Sequence, residues 1–451
     1  MKFGGINVQE ELIKKIRRKT ACIAVVGLGR VGLPVAAVLA DIGYRVIGVD
    51  IRKEVVKAIS SLKIRTKEPG LDELIKKVIE TGKLKTTTND LEAVKAADIA
   101  IICVQTPLAE NTEPNLIYLR MACEAIAKGL SKGKLVTVES TVPPGTTKNL
   151  VARILEESGL KCGKDFWLAY CPERITPGKI IQEFIKNVRI VGGFNKESAN
   201  IAAELLKVVT KGGVIITDCM SAEIAKLAEN AFRDANIAFA NELALICERV
   251  GADVVEVIKI AKTHPRVSIH KPGCGVGGPC LAKDSRLLSY SAKEKGLLPK
   301  IIRFSRELND HMPEHTVELL ARALKEAGKH VKNSKIAIFG VAYKGQVDDA
   351  SNSPAEVIIR KLIGLGARVI VYDPYCKENF GVEKAPNITK AVRGKDCVVI
   401  VTDHKPFEDL NLEGIKALMN EKPVIIDGRR IIDATEAKKQ GFTYFGIGYG
   451  A

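Results

Sequence analysis

Aromatic residues make up only 5% of the 451-residue chain, with a single Trp. No basic cluster is interleaved with rings, so a stacking surface for nucleic acid is not expected. Eleven cysteines occur without one Cys-x-x-Cys pair. An odd, scattered set argues against a disulfide framework and suits a reducing compartment, so the expected location is the cytoplasm. Long apolar runs are also missing. The best candidates, 99–104 and 397–402, are strand-length, far short of the roughly 18 to 20 residues that span a bilayer, and no N-terminal apolar stretch resembles a secretion signal. Neither membrane insertion nor export is expected. Acidic residues are in deficit, 53 against 69 Lys and Arg, for a net charge of +16. That excess attracts an acidic partner, whether nucleic acid, membrane surface or phosphorylated small molecule. The basic residues alternate with acidic neighbours, as in Asp72-Glu73-Leu74-Ile75-Lys76-Lys77, which reads as a solvated surface.

What is present is ordinary globular material, 46% hydrophobic and 27% charged with 38 Gly and 18 Pro, enough for about three domains. Leu12, Ile13 and Ile16 share one face of a short leading helix. From Cys22 apolar strands alternate with helical stretches: 22–26, 45–49, 99–104, 135–139, 188–191 and 214–217. This pattern predicts an α/β fold with a parallel, doubly wound sheet. Strand signals vanish from about Ser221 to Leu320, and 222–250 runs nearly thirty residues without Gly or Pro, predicting a long central helix in an all-α segment. Strands return at 335–339, 368–372, 397–401, 424–426 and 443–445. The chain thus divides into an N-terminal extension (1–20), a Rossmann domain (21–218), a central helical domain (219–325) and a second Rossmann-like domain (326–451). Acidic residues follow the second strand of both α/β domains, Asp50 and Asp373.

The first α/β domain carries Gly27-Leu28-Gly29-Arg30-Val31-Gly32 directly after its first strand, with Asp50 at the end of the second, 23 residues after Gly27. Gly27 permits the tight turn, Gly29 lets backbone approach a pyrophosphate, Gly32 allows close helix packing, and the helix N-terminus faces the phosphates. Asp50 would accept ribose hydroxyls and repel a 2′-phosphate, favouring NAD over NADP. Arg52 argues the other way if its guanidinium is available to that phosphate. Thr106 and Thr141 end two later strands, where they either face the ligand crevice or cap turns.

The middle segment holds the candidate chemistry. Four glycines fall within six residues in Lys271-Pro272-Gly273-Cys274-Gly275-Val276-Gly277-Gly278-Pro279-Cys280. Pro279 suits the first helical position, placing Cys280 at a helix start, where the macrodipole favours thiolate. Cys274 is its rival, and Asp284 follows one turn later. On the central helix Lys226 and Asn230 are also one turn apart, with Arg233 continuing the stripe. They form either an oxyanion-stabilising pair or a solvated polar face. His311 and His315 have no third ligand, so no metal is assigned.

Together with Gly275 to Cys280, three stretches make the chain resemble the nucleotide-sugar 6-dehydrogenases from residue 22 onward: Tyr170-Cys171-Pro172-Glu173-Arg174-Ile175, Lys226-Leu227-Ala228-Glu229-Asn230-Ala231-Phe232-Arg233-Asp234 and His264-Pro265-Arg266-Val267. The resemblance implies NAD-dependent, four-electron oxidation of a UDP-sugar at C6 through a cysteine thiohemiacetal and thioester. The implied sugar is N-acetyl-D-mannosamine, with glucose and the N-acetylated gluco and galacto sugars as alternatives. It casts Cys280 as nucleophile, Lys226 and Asn230 as stabilisers of oxygen charge, Asp284 with Thr141 as holders of a water or proton, and Glu173 as the hydrolytic base. NAD would lie on Gly27, Gly29, Arg30, Val31, Gly32, Asp50, Arg52, Thr106 and Thr141. The UDP-sugar would meet Arg174, Ile175, Lys226, Asn230, Arg233, His264, Arg266 and Gly277, joined by Tyr343, Lys344 and Arg429. It also implies a homodimer or homotetramer, with residues such as Arg266 reaching a neighbour's site, and no nucleic-acid or membrane partner. One departure stands out: Ser351 replaces the Arg of the family's Asp-Asp-x-Arg pattern. A single-step β-hydroxyacid dehydrogenase, which needs no nucleophilic cysteine, is the rival enzyme class.

Overall fold

The computed structural model describes residues 8–450 apart from 67 and 177, so residues 1–7 of the N-terminal extension lie outside it. The chain forms two compact units, Met1–Glu229 with Arg286–Leu297, and Asn230–Ser285 with Leu298–Ala451.

The first unit is built on an eight-stranded sheet among the described residues: β1 Cys22–Val26, β2 Arg45–Val49, β3 Leu84–Thr87, β4 Ile99–Ile102, β5 Leu135–Val138, β6 Trp167–Tyr170, β7 Arg189–Gly193 and β8 Val214–Asp218. The spatial order is β3-β2-β1-β4-β5-β6-β7-β8. Strands such as β1, β4 and β5 are buried throughout, which is why they read as continuous apolar runs rather than alternating ones. Helix Gly32–Ile42 packs with them and buries nine of its eleven residues. The leading helix Val8–Arg17 buries Leu12 and Ile16 and is held by the Arg17–Glu204 ion pair at 2.8 Å. Consecutive strands depart in opposite directions from β1, making a switch point between β1 and β4. Ligands of doubly wound sheets bind outside the strand C-termini at such a point.

Two expectations need correction. The apolar pattern does not mark β3 or β6, because Leu84-Lys85-Thr86-Thr87 has one apolar residue and Trp167-Leu168-Ala169-Tyr170 lacks β-branched side chains. The sheet is also not wholly parallel: β7 runs antiparallel to β6, and β8 follows β7. The connection between β6 and β7 is tied at both ends. Asn187 Nδ2 donates to the Arg174 carbonyl (2.7 Å) and Arg174 Nη1 to the Val188 carbonyl (3.1 Å). The chain therefore re-enters the sheet where it left and runs back.

The second unit carries an all-parallel sheet, β9 Lys335–Phe339, β10 Arg368–Tyr372, β11 Glu383–Lys384, β12 Cys397–Ile400, β13 Val424–Asp427 and β14 Thr443–Gly446. Its order is β11-β10-β9-β12-β13-β14. The two-residue β11 is too short to leave a sequence pattern. Asp373 after β10 accepts the Val341 and Ala342 amides at 2.8 and 3.0 Å and His404 Nε2 at 2.9 Å. Burial alone would raise this carboxyl, but His404 and the amides of Cys376 and Val341 overcome that and hold it at about 2. Between residues 219 and 334 the described residues contain helices and no strand: Cys219–Val250, Val254–Ala261, Leu281–Lys293 and Lys300–Glu326.

One charge lies wholly inside the first unit. Arg189 is 1% exposed, sits 4.5 Å from the Phe184 ring and pairs with buried Glu139 at 3.5 Å. Burial pushes the Glu139 carboxyl up, while Arg189 pulls it back. Removing one partner of a buried pair strands the other charge, at about 3–5 kcal/mol. Arg189→Met should therefore lower unfolding free energy by about that amount near pH 7. A buried carboxyl with a raised pKa costs nothing below its unfolded value and progressively more as pH rises towards its folded value. The loss should accordingly shrink when denaturant melts are repeated near pH 4; a pH-independent loss would rule out a stranded Glu139 charge.

Candidate active site

In the first unit the glycine turn behaves as the sequence requires. Gly27 has φ +96°, and a Cβ there would meet the Cys103 carbonyl oxygen at 2.7 Å; one on Gly32 would meet the Gly27 carbonyl oxygen at 1.8 Å. A Cβ on Gly29 would meet nothing within 4 Å. Gly29 thus borders space that a side chain would fill, as the pyrophosphate cradle of a dinucleotide demands. Arg30 and Val31 complete the turn. The helix beginning at Gly32 has no side-chain cap and no acidic residue in its first turn, so its positive end is offered to an anion.

Asp50 is 7% exposed. Its carboxylate accepts the Leu28 amide (3.0 Å), the Arg52 amide (3.0 Å) and Arg52 Nε (3.3 Å). A carboxylate has about four acceptor positions, so capacity remains for a ribose hydroxyl. Arg52 turns its Nε onto Asp50, while its side chain stays 62% exposed. Thr106 donates its hydroxyl to the Thr141 carbonyl at 2.6 Å, and Ser140 donates to the Val104 carbonyl at 2.6 Å. The Thr106 side chain thus bridges two strand-end turns.

Close to those turns, Lys226 Nζ lies 3.2 Å from Glu173 Oε1, with both side chains largely shielded. Glu173 Oε2 also accepts the Ile175 amide at 2.9 Å. Arg174 is engaged by Glu229 at 2.7 Å as well as by Val188. Two residues escaped the sequence reading. Glu139 pairs with Arg189, and buried Glu223 accepts the Gly145 and Thr147 amides, fixing the turn that follows Thr141. The one available signal was acidic residues lying within otherwise apolar patterns.

In the second unit Asn230 Nδ2 donates to Asp284 Oδ2 at 2.6 Å, and Arg233 Nη1 lies 3.5 Å from Asn230 Oδ1. Lys226 and Asn230 are 5% and 9% exposed, so neither lies on a solvated face, whereas Arg233 is exposed. The helix after the glycine loop starts at Leu281 rather than Pro279, and the Cys280 carbonyl accepts its first bond, from the Asp284 amide at 2.8 Å. Pro279 therefore precedes the helix, and Cys280 itself occupies the cap position. Of the eleven cysteines Cys280 is the exposed one. Its rival Cys274 is buried, and burial raises its thiol to about 11; burial likewise raises Cys123, Cys162 and Cys219 to about 12.

The structure brings other expected contacts to the same unit. A Cβ on Gly277 would meet the Asn352 carbonyl oxygen at 2.6 Å and Tyr343 Cβ at 3.0 Å. Lys344 Nζ lies 5.7 Å from the Tyr343 ring centre. Arg429 pairs with Asp403 at 3.2 Å, and its Nη1 is 2.8 Å from where a Gly273 Cβ would stand. His264 Nδ1 accepts the Arg266 amide at 3.3 Å, with both residues at the surface. Ser351 donates its hydroxyl to Asp349 at 2.5 Å.

In the first unit the glycine turn, the uncapped helix start and Asp50 together make a dinucleotide site of the kind nicotinamide-dependent oxidoreductases use. The chain belongs to the UDP-glucose/GDP-mannose dehydrogenase family, matching its NAD binding domain over 21–210, its central domain over 220–311 and its UDP binding domain over 337–434. It is an NAD-dependent nucleotide-sugar dehydrogenase. It is 44% identical over 429 residues to the UDP-N-acetyl-D-mannosamine dehydrogenase of Pyrococcus horikoshii, covering 95% of this chain and 99% of that one. The solved structure of the UDP-D-ManNAc dehydrogenase from that organism superposes with a TM-score of 0.89, at 44% identity and the same coverage. The NDP-N-acetyl-D-galactosaminuronic acid dehydrogenase of Methanosarcina mazei superposes with a TM-score of 0.88 at 35% identity, covering 99% of each chain. Among the described residues no helix is long and apolar enough to cross a membrane.

Brief iodoacetamide treatment of the native protein, followed by peptide mapping, should label Cys280 roughly tenfold faster than any of the other ten cysteines. Comparable labelling of Cys274 would contradict the assignment of the accessible thiol.

Proposed function

We propose that this enzyme oxidises the C6 hydroxymethyl of UDP-N-acetyl-D-mannosamine to the carboxylate, with Cys280 carrying the sugar between the two oxidations. The observation that carries this reading is Cys280 itself, the exposed cysteine at a helix cap in a chain that binds NAD. The choice of sugar rests on the Pyrococcus relative at 44% identity. The Methanosarcina neighbour at 35% supports an N-acetylgalactosamine substrate as the second reading.

The backbone from Gly27 to Gly32 and Asp50 would hold NAD. Bound NAD supplies the hydride acceptor, and two are consumed in turn because hydroxymethyl to carboxylate is a four-electron change. The Cys280 thiolate adds to the C6 aldehyde, forming a C–S bond while the carbonyl oxygen takes up negative charge. Lys226 and Asn230 stabilise that oxygen, as buried donors do most effectively away from water. Oxidation of the thiohemiacetal leaves a thioester. Water then adds at C6, Glu173 or Asp284 with Thr141 takes its proton, and the C–S bond breaks to return the thiolate and release the acid. Arg174, Ile175, Arg233, His264, Arg266, Tyr343, Lys344 and Arg429 would orient the UDP-sugar, the cations meeting its diphosphate. The domain borders given above, at 20, 218 and 325, and a cytoplasmic location consistent with eleven cysteines belong to the same proposal.

The enzyme is further proposed to be a dimer or a multiple of one. Phe232, Phe239 and Ile246 stand seven residues apart on the long helix and, with Val250, are 66%, 51%, 51% and 71% exposed. Seven-residue spacing sets them along one stripe, the pattern that a second helix covers.

Two NADH should form per UDP-sugar consumed, with the mannosamine form active and the glucosamine, galactosamine and glucose forms much poorer. Cys280→Ala should form no acid; full acid production by that variant would overturn the covalent scheme. Phe239→Glu should shift sedimentation towards the monomer, and an unchanged profile would remove this stripe from the interface.

A further inference from the structure

The backbone that delivers Cys280 is clamped from one side. Gly278 has φ +90°, and a Cβ there would meet the Tyr343 ring at 2.7 Å. Both polar groups of Gly278 go to a single turn within the UDP binding domain. Its amide donates to the Ser351 carbonyl at 2.8 Å, and its carbonyl accepts from Asn352 Nδ2 at 3.1 Å. Between this clamp and the thiol lies one residue, Pro279, whose ring fixes φ. Pro279 thus removes one of the few torsions that separate the clamped Gly278 from Cys280.

Asn352 has φ +49°, a left-handed conformation that Asn and Gly tolerate best. Backbone geometry alone would be served equally by glycine. Nor does the following helix, Pro354–Gly364, require the Asn352 amide, because Ser353 caps it by accepting the Ala355 amide at 3.3 Å. The amide is directed to Gly278.

We propose that Asn352 is a positioning residue for Cys280: its side-chain amide holds the Gly277–Cys280 turn so that the thiol meets the sugar C6. A residue of the UDP binding domain thereby sets the reactivity of a thiol in the central domain. The proposal rests on the reading of Cys280 as the nucleophile.

Asn352→Gly tolerates the positive φ and removes the side chain with its amide donor, whereas Asn352→Asp keeps the side-chain size but sets a carboxylate against the Gly278 carbonyl. With full-length protein, NAD and the UDP-sugar, Asn352→Gly should retain the parent melting temperature and KM values within about twofold. Its kcat should fall about five- to tenfold, the weight of one hydrogen bond. Alkylation of Cys280 by iodoacetamide should change by a similar factor, and Asn352→Asp should lower kcat further. Parent-like alkylation and kcat in both variants, or a loss confined to KM, would overturn the proposal. Acid formation by Cys280→Ala would instead sink the nucleophile reading, while Cys280 alkylation in Asn352→Gly would still report whether Asn352 places the thiol.

Discussion

The hydrogen bond from Asn230 to Asp284, 2.6 Å long and out of water, sets the register between the long helix and the helix that starts beside Cys280. A one-residue slip of either would turn these side chains about 100° apart and leave a buried carboxylate without this donor, a loss worth several kcal/mol. The register is reinforced one turn further on. Asp234 accepts the Ser285 hydroxyl at 2.9 Å and binds Arg306 and Asn309 from helix Lys300–Glu326. Asn309 accepts from Asn241, whose own carbonyl takes the Gly273 amide at the entrance to the glycine loop. Three helices and the loop are thus pinned by polar groups with directional demands. An apolar interface of the same size would tolerate sliding, because the hydrophobic effect has no preferred angle.

The first unit concentrates its buried charge at the C-terminal ends of its strands. Glu139 directly follows β5, Glu173 lies just beyond β6, Arg189 opens the antiparallel β7, and Lys226 and Glu223 reach in from the long helix. Ionised groups removed from water each carry a penalty of several kcal/mol even when paired. A fold assembled for stability alone would place apolar side chains there. The reversal of strand direction at β7 has the same logic: it brings Arg189 to the edge where Glu139 ends, and keeps the Arg174 segment folded over the strand tips.

The two α/β sheets solve one problem with the same device. Asp50 and Asp373, each after a second strand, turn their carboxylates onto amides of the loop after the first strand, Leu28 in one case and Val341 and Ala342 in the other. The loops differ in what they leave over. The first ends in a helix start with no cap, open to an anion, while the second is closed by His404 on Asp373 and by Thr402 on the Ala342 carbonyl.

Local pattern made much of this visible in the chain itself. Strands such as Cys22–Val26, Arg45–Val49, Lys335–Phe339 and Arg368–Tyr372 could be delimited because their buried stretches are apolar runs, the last three each opening on an exposed basic residue. The glycine fingerprint was legible because its constraints act between neighbours, and the helix after Cys280 because proline and glycine punctuate it, although its first turn lies two residues later than Pro279 suggested. β3, β6 and β11 were hidden because short strands owe their existence to partners distant in sequence. The amino-acid order by itself determined the α/β class, the dinucleotide turn and the shortlist of reactive side chains, since these follow from bonds and contacts within a few residues. Only tertiary packing decided that Cys280 rather than Cys274 meets solvent, that Lys226 and Asn230 turn inward, and that Asn352 grips Gly278. Burial and long-range hydrogen bonds join residues tens of positions apart, and no local pattern encodes them.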